Sequence, residues 1–99
     1  MAFYTIKEAI GTAQRLKLTL AEGECLVEPH VLGRSRGGKT LLRAFQLHGS
    51  DRATTSGSWK VFDLERIHHA VEANERFQNP RPGYRPNDPA MNGGILERL

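Results

Sequence analysis

The chain has 99 residues, 38% of them hydrophobic and 25% charged, with a formal net charge of +3. That length fits one domain with a modest core, and the composition is too apolar for wholesale disorder. No apolar run approaches the roughly 20 residues that span a bilayer. The N-terminal stretch Met1 to Glu8 lacks the basic start and apolar run of a signal peptide, so a cytoplasmic location is expected. The mildly basic balance permits a polyanionic partner without requiring one. Cys25 is the only cysteine, which excludes an internal disulfide, and it reads as a small core residue.

Thr5 and Glu8 have the spacing of a capping box, and Ile6, Ala9, Ile10 and Ala13 recur at helical spacing. These predict a short amphipathic helix over about residues 5–15. Leu16 to Leu20 alternates apolar and polar residues, as a half-buried strand does. A turn at Glu22 to Glu24 leads to a second strand over Cys25 to Leu32, in which Pro29 marks an edge or a bulge because it cannot donate to a ladder. Gly33 to Gly38 reads as a hairpin loop. A third strand follows from Lys39 to His48, with Leu41, Arg43, Phe45 and Leu47 on one face. Gly49 to Gly57 is small and polar and reads as a loop. A fourth strand covers Ser58 to Leu64, and a tight turn at Glu65 to Ile67 precedes a fifth near residues 68–74.

One helix followed by five short strands predicts a mainly β domain whose curved sheet closes into a small barrel over residues 1–77, which removes exposed edges. Residues 78–99 form a Pro-rich C-terminal tail. Four of the five prolines fall between Asn79 and Pro89, and Ile95 to Leu99 is expected to add a last helical turn.

The segment Lys60-Val61-Phe62-Asp63-Leu64-Glu65-Arg66-Ile67 carries a family likeness. With the Gly33 to Gly38 turn and the Leu41 to Leu47 strand before it, it resembles the end of a WYL domain, whose pattern runs Arg-x-Phe-Arg-Leu-Asp-Arg-Ile. Val27-Glu28-Pro29 resembles another strand of the family, and Phe77 to Tyr84 resembles the tail of short stand-alone members. The likeness covers about residues 15–77. Thr40-Leu41-Leu42 stands where the naming Trp-Tyr-Leu triplet falls, so two aromatics are missing, and Asp63 replaces a usual arginine. The resemblance implies an Sm-like or SH3-like barrel that binds a small nucleotide, second messenger or single-stranded nucleic acid through basic residues. Lys60 and Arg66 match its basic positions.

Guanidinium forks fit phosphate oxygens, and an ammonium acts as a point charge. Arg34, Arg36, Lys39, Arg43, Lys60 and Arg66 fall on adjacent strands or their loop and are expected to converge on one barrel face. The bland alternative pairs Lys60 and Arg66 with Asp63 and Glu65. Trp59 suits either stacking on a base or closing the core. In the tail, Tyr84 lies between Arg81 and Arg85, a pattern that suits nucleic-acid contact or packing back on the domain.

Catalysis has little support. His68 and His69 are adjacent, so they point to opposite faces of a strand and form no metal pair. Glu72 and Glu75 read as surface charges. The glycine-rich stretch ending in Lys39 and Thr40 lacks the spacing and the following helix of a phosphate-binding loop. The expectation is therefore a non-enzymatic, cofactor-free ligand-sensing or nucleic-acid-binding module. A protein–protein interaction module that kept the barrel and lost the pocket is the alternative. The apolar residues Ile95, Leu96 and Leu99 suggest a homodimer.

Overall fold

The computed structural model describes residues 2–47 and 57–99. Helix α1 (Ala2–Gly11) is followed by strands β1 (Gln14–Leu20), β2 (Gly23–Arg34), β3 (Thr40–Leu47), β4 (Gly57–Asp63), β5 (His69–Arg76) and β6 (Gly94–Arg98). Two 3₁₀ turns, Leu64–Arg66 and Pro89–Met91, sit before β5 and β6. All six strands pair antiparallel in one open sheet of order β4-β3-β2-β1-β5, with β6 beside β2. The described residues therefore form no closed barrel: β4 pairs with β3 and β5 pairs with β1, and nothing joins the two ends. The expected loop at Gly49 to Gly57 lies, apart from Gly57, outside the described residues.

β2 is the spine. At 12 residues it is long enough to hold two neighbours in succession on one side. Its first half pairs with β1 (Leu16↔Val27, Leu18↔Cys25) and its second half with β6 (Val31↔Arg98, Gly33↔Ile95). β3 pairs along its other side from Val27 to Arg34. The change of neighbour follows a bulge: the register shifts between Pro29 and Val31, leaving His30 as the extra residue. A bulge tolerates a residue that cannot donate, which places Pro29 in a central strand rather than at an edge. Gly33 is required by close approach, because a Cβ there would lie 2.7 Å from the Gly94 carbonyl oxygen.

The two faces of the sheet are covered differently. On one, Leu16, Leu18, Val27, Leu32, Leu42 and Ala44 pack with Ile6, Ala9 and Ile10 of α1 into the core. The helix begins earlier than the capping-box reading placed it, because Ala2 and Phe3 also pack against this core. It ends at Gly11 rather than 15. Ala13 takes a left-handed φ of 54°, which turns the chain, and Gln14 is already paired with Arg76.

The other face carries Glu28, Val31, Arg43 and Phe45, and residues 77–91 lie across it. Phe77 is buried, its N–H donates to the Ala13 carbonyl, and Arg81 sits 4.8 Å from the centre of the Phe45 ring. The Pro-rich segment is thus a packed strap. The expected terminal helical turn is instead β6, since the free N–H and C=O groups of the second half of β2 offer it a ladder. Leu96 and Leu99 pack against the core, which takes up apolar surface that had suggested a homodimer.

Ending the chain at Arg76 should therefore abolish stable folding. Burial of Phe77 alone contributes roughly 1.5–3 kcal/mol, and β6 and the whole strap go with it. A melting curve without a cooperative transition is the expected result; an unchanged melting temperature would mean that the strap is only an appendage.

Candidate functional site

The sheet sorts the cationic side chains by strand parity. Arg43 stands opposite Val61 and Lys60 opposite Ala44. Side chains directly across a ladder share a face, and neighbours along a strand alternate. Arg43 and Lys60 therefore project from opposite faces, and the expected convergence of Arg43 with Lys60 and Arg66 does not occur. Arg34 ends β2, Arg36 occupies the β2–β3 turn, and both are exposed. Lys39 lies 3.6 Å from Asp63.

Lys60 and Arg66 do share a site. They line a concave groove of about 630 Å³ between the β1–β2 turn and β4. Leu20, Cys25 and Phe62 form apolar parts of its wall, and His68 closes one side. The Asp63 side chain accepts from the Glu65 backbone N–H, which caps the 3₁₀ turn that places Arg66 at the groove. Asp63 is the only one of the groove's carboxylates in an ion pair among the described residues, and its partner is Lys39. Lys60 and Arg66 have no ion-pair partner among the described residues, so the expected pairing with Asp63 and Glu65 is absent. Glu22, Glu24 and Glu65 also line the groove, giving it mixed charge. Burial, with Glu22 nearby, pushes the Cys25 thiol pKa up, which keeps it protonated and weakly nucleophilic.

The strap-covered face holds a polar cluster that sequence reasoning missed. Glu28 is fully buried. Its carboxylate accepts from Arg15 Nε at 2.9 Å and from Arg81 Nε and a terminal Arg81 nitrogen at 2.6 and 3.0 Å. Arg15 also reaches Glu75 at 3.3 Å. Burial alone would raise the Glu28 pKa, but the hydrogen bonds and charges of Arg81 and Arg15 outweigh it and hold the carboxyl below its ordinary value. Arg43 behaves similarly toward Asp88, with contacts of 2.7 and 3.3 Å. Burial opposes ionisation of Asp88, and Arg43, the Ala90 N–H and the Arg85 charge more than offset it.

His30, also fully buried, touches the strap and its own strand with its two ring nitrogens. Nδ1 lies 2.7 Å from the Glu28 carbonyl oxygen, and the Arg81 backbone N–H donates to Nε2 at 3.1 Å. Trp59, Phe77 and Tyr84 surround the ring. Trp59 donates its indole N–H to the Pro82 carbonyl at 2.9 Å, so it anchors the strap. Gly83 has a φ of +93°, and a Cβ there would meet the Trp59 indole nitrogen at 2.9 Å. Tyr84 donates its hydroxyl to the Leu99 carbonyl. Of the three tail residues expected to contact a ligand, Arg81 and Tyr84 thus make intramolecular contacts, and Arg85 is exposed. The sequence signal for the cluster was the pair of unlike polar residues flanking Pro29 in an apolar strand.

Comparison of the chain with family models, with curated proteins and with solved structures found no match.

Replacing Glu28 with Gln should cost about 3–5 kcal/mol, because it leaves buried guanidinium charge uncompensated. Urea denaturation at neutral pH measures this. The pH dependence has a fixed sign. Glu28 and Asp88 have folded pKa values below their ordinary 4.5 and 3.8, so their stabilisation is present above those values and lost as pH falls through the folded ones. Glu28→Gln should flatten that acid limb; an unaltered limb would remove Glu28 from the account.

Proposed function

We propose that this chain is a non-enzymatic binding module of the WYL-like kind. Its groove between the β1–β2 turn and β4 takes a compact ligand bearing an anionic group, such as a small nucleotide. The observation that carries this reading is the pair Lys60 and Arg66, which line one groove and have no ion-pair partner among the described residues. The volume of about 630 Å³ lies within the range of small-molecule sites. An N-terminal helix followed by strand order β4-β3-β2-β1-β5 supports a relation to small Sm-like or SH3-like barrels, opened between β4 and β5. The raised Cys25 pKa, which leaves the groove's thiol protonated, supports a binding role over nucleophilic catalysis.

The charge pattern argues against a long polyanion. Glu22, Glu24 and Glu65 share the groove with the two cations, and a phosphate backbone passing through would meet them. The same acids favour a second reading, in which a protein segment of mixed charge docks in the groove. Among the described residues β4 pairs only with β3 and leaves an outer edge to which an extended segment could add.

Calorimetric titration with a mononucleotide, a cyclic dinucleotide and a short single-stranded oligonucleotide tests the choice. The compact ligands should bind at least as well as the oligonucleotide, and Lys60→Ala and Arg66→Ala should each weaken binding about tenfold or more, as removal of a charge-assisted hydrogen bond does. For oligonucleotide binding, removing one phosphate-binding cation should lower the salt slope by roughly 0.7. No binding, or binding indifferent to both substitutions, would move the conclusion to the protein-docking reading.

A further inference from the structure

We propose that residues 77–91 form an acid-released strap, held across the sheet by His30 in its neutral form. The ring is fully buried in the bulge of β2 and both nitrogens are committed. The Glu28 carbonyl can only accept, so Nδ1 carries the proton. The Arg81 N–H can only donate, so Nε2 must present a lone pair. A second proton on the ring would set two donors against each other at 3.1 Å.

Of the surrounding charges, Glu28 favours a protonated ring and Arg81 opposes it, and burial outweighs the contribution of Glu28. Glu28 on β2 already receives Arg15 from β1 and Arg81 from the strap, and Arg15 also receives Glu75 from β5. An imidazolium would add a buried positive charge beside Arg81, at a carboxylate that two guanidinium groups already engage. The remaining neighbours, Trp59 of β4 and Phe77 and Tyr84 of the strap, are uncharged, and burial holds the Tyr84 phenol above its ordinary pKa. The Leu99 N–H donates to the His30 carbonyl, so the β6 end also meets this residue.

Desolvation depresses the His30 pKa below its ordinary 6.5. Stability from this arrangement is therefore complete above pH 6.5 and declines as pH falls from there toward the folded pKa. Glu28 and Asp88 stay charged over the part of that window above pH 4.5, because their folded pKa values lie below 4.5 and 3.8. The hydrogen bond from the Arg81 N–H to His30 breaks first. Opening bares Trp59 and Phe45, which the strap covers on this face.

Trp59 is the only tryptophan and donates to the strap at Pro82, so the wavelength of its emission reports whether that cover is in place. In the full chain, emission should change as pH falls below 6.5 while far-UV circular dichroism stays constant. NMR titration of the four histidines should show His30 taking up its proton over that same range. His30→Gln, whose amide can donate and accept without titrating, should leave Trp59 emission flat across the window. If that variant fails to fold, the wild-type titrations decide the matter. Emission that changes only together with the loss of circular dichroism, or His30 protonating with no change at Trp59, would overturn the proposal.

Discussion

A single buried carboxylate organises one whole face of this protein. Glu28 sits on the central strand, where an ionised group without partners would not be tolerated. Its charge is retained because Arg15 and Arg81 approach from β1 and from the strap. Those two arginines lie near opposite ends of the chain, and Glu28 makes them neighbours. The strap's prolines at 80, 82, 86 and 89 interrupt its run of backbone donors, so it does not hold its place through a ladder. Side-chain contacts to Glu28, His30, Trp59 and Arg43 do that instead. The helix packs on the opposite face through an apolar cluster, so one side of the sheet is held by apolar packing and the other is stitched by charge.

This division of labour also decides which cations remain for binding. A basic composition counts every guanidinium alike, but burial and strand parity separate them. Arg15, Arg43 and Arg81 serve the strap-covered face, and Lys39 meets Asp63. Lys60 is on the helix-facing side of β4 by its register with Ala44, and Arg66 is placed by a capped turn just after that strand. The pair that matched the family pattern lines one groove and has no ion-pair partner among the described residues.

Much of the strand layout was legible because period-two alternation survives at Leu16 to Leu20 and Leu41 to Leu47. Pro29 announced an edge or a bulge, and in this central strand it is the bulge, since its missing donor has no other place there. The helix boundaries were less legible. Thr5 and Glu8 imitate a cap, yet Ala2 and Phe3 gain more by packing on the core than the chain would by starting at Thr5. β6 was hidden because Gly94 to Arg98 is short and its partner is the second half of β2, a long-range pairing that local pattern does not encode. The polar cluster was hidden for the same reason. Glu28 and Arg81 carry no mutual signal until the chain has folded back. Lys60 and Arg66 fall together because they lie within one local motif, whereas Arg43 was grouped with them by treating adjacent strands as one face without fixing their register.

Trp59 shows how a site can be reassigned by one contact. An aromatic residue at the start of a strand, near basic residues, has the composition of a base-stacking platform. The Pro82 carbonyl claims its N–H, and the left-handed Gly83 lets the strap backbone come against the indole with no Cβ between them. The stacking surface is thereby turned inward, toward His30 and Phe45. While the strap is seated, Trp59 is engaged by Pro82, Gly83 and His30. The sheet therefore separates two properties that the sequence had seemed to combine: aromatic surface on the face the strap covers, and available positive charge on the face it does not.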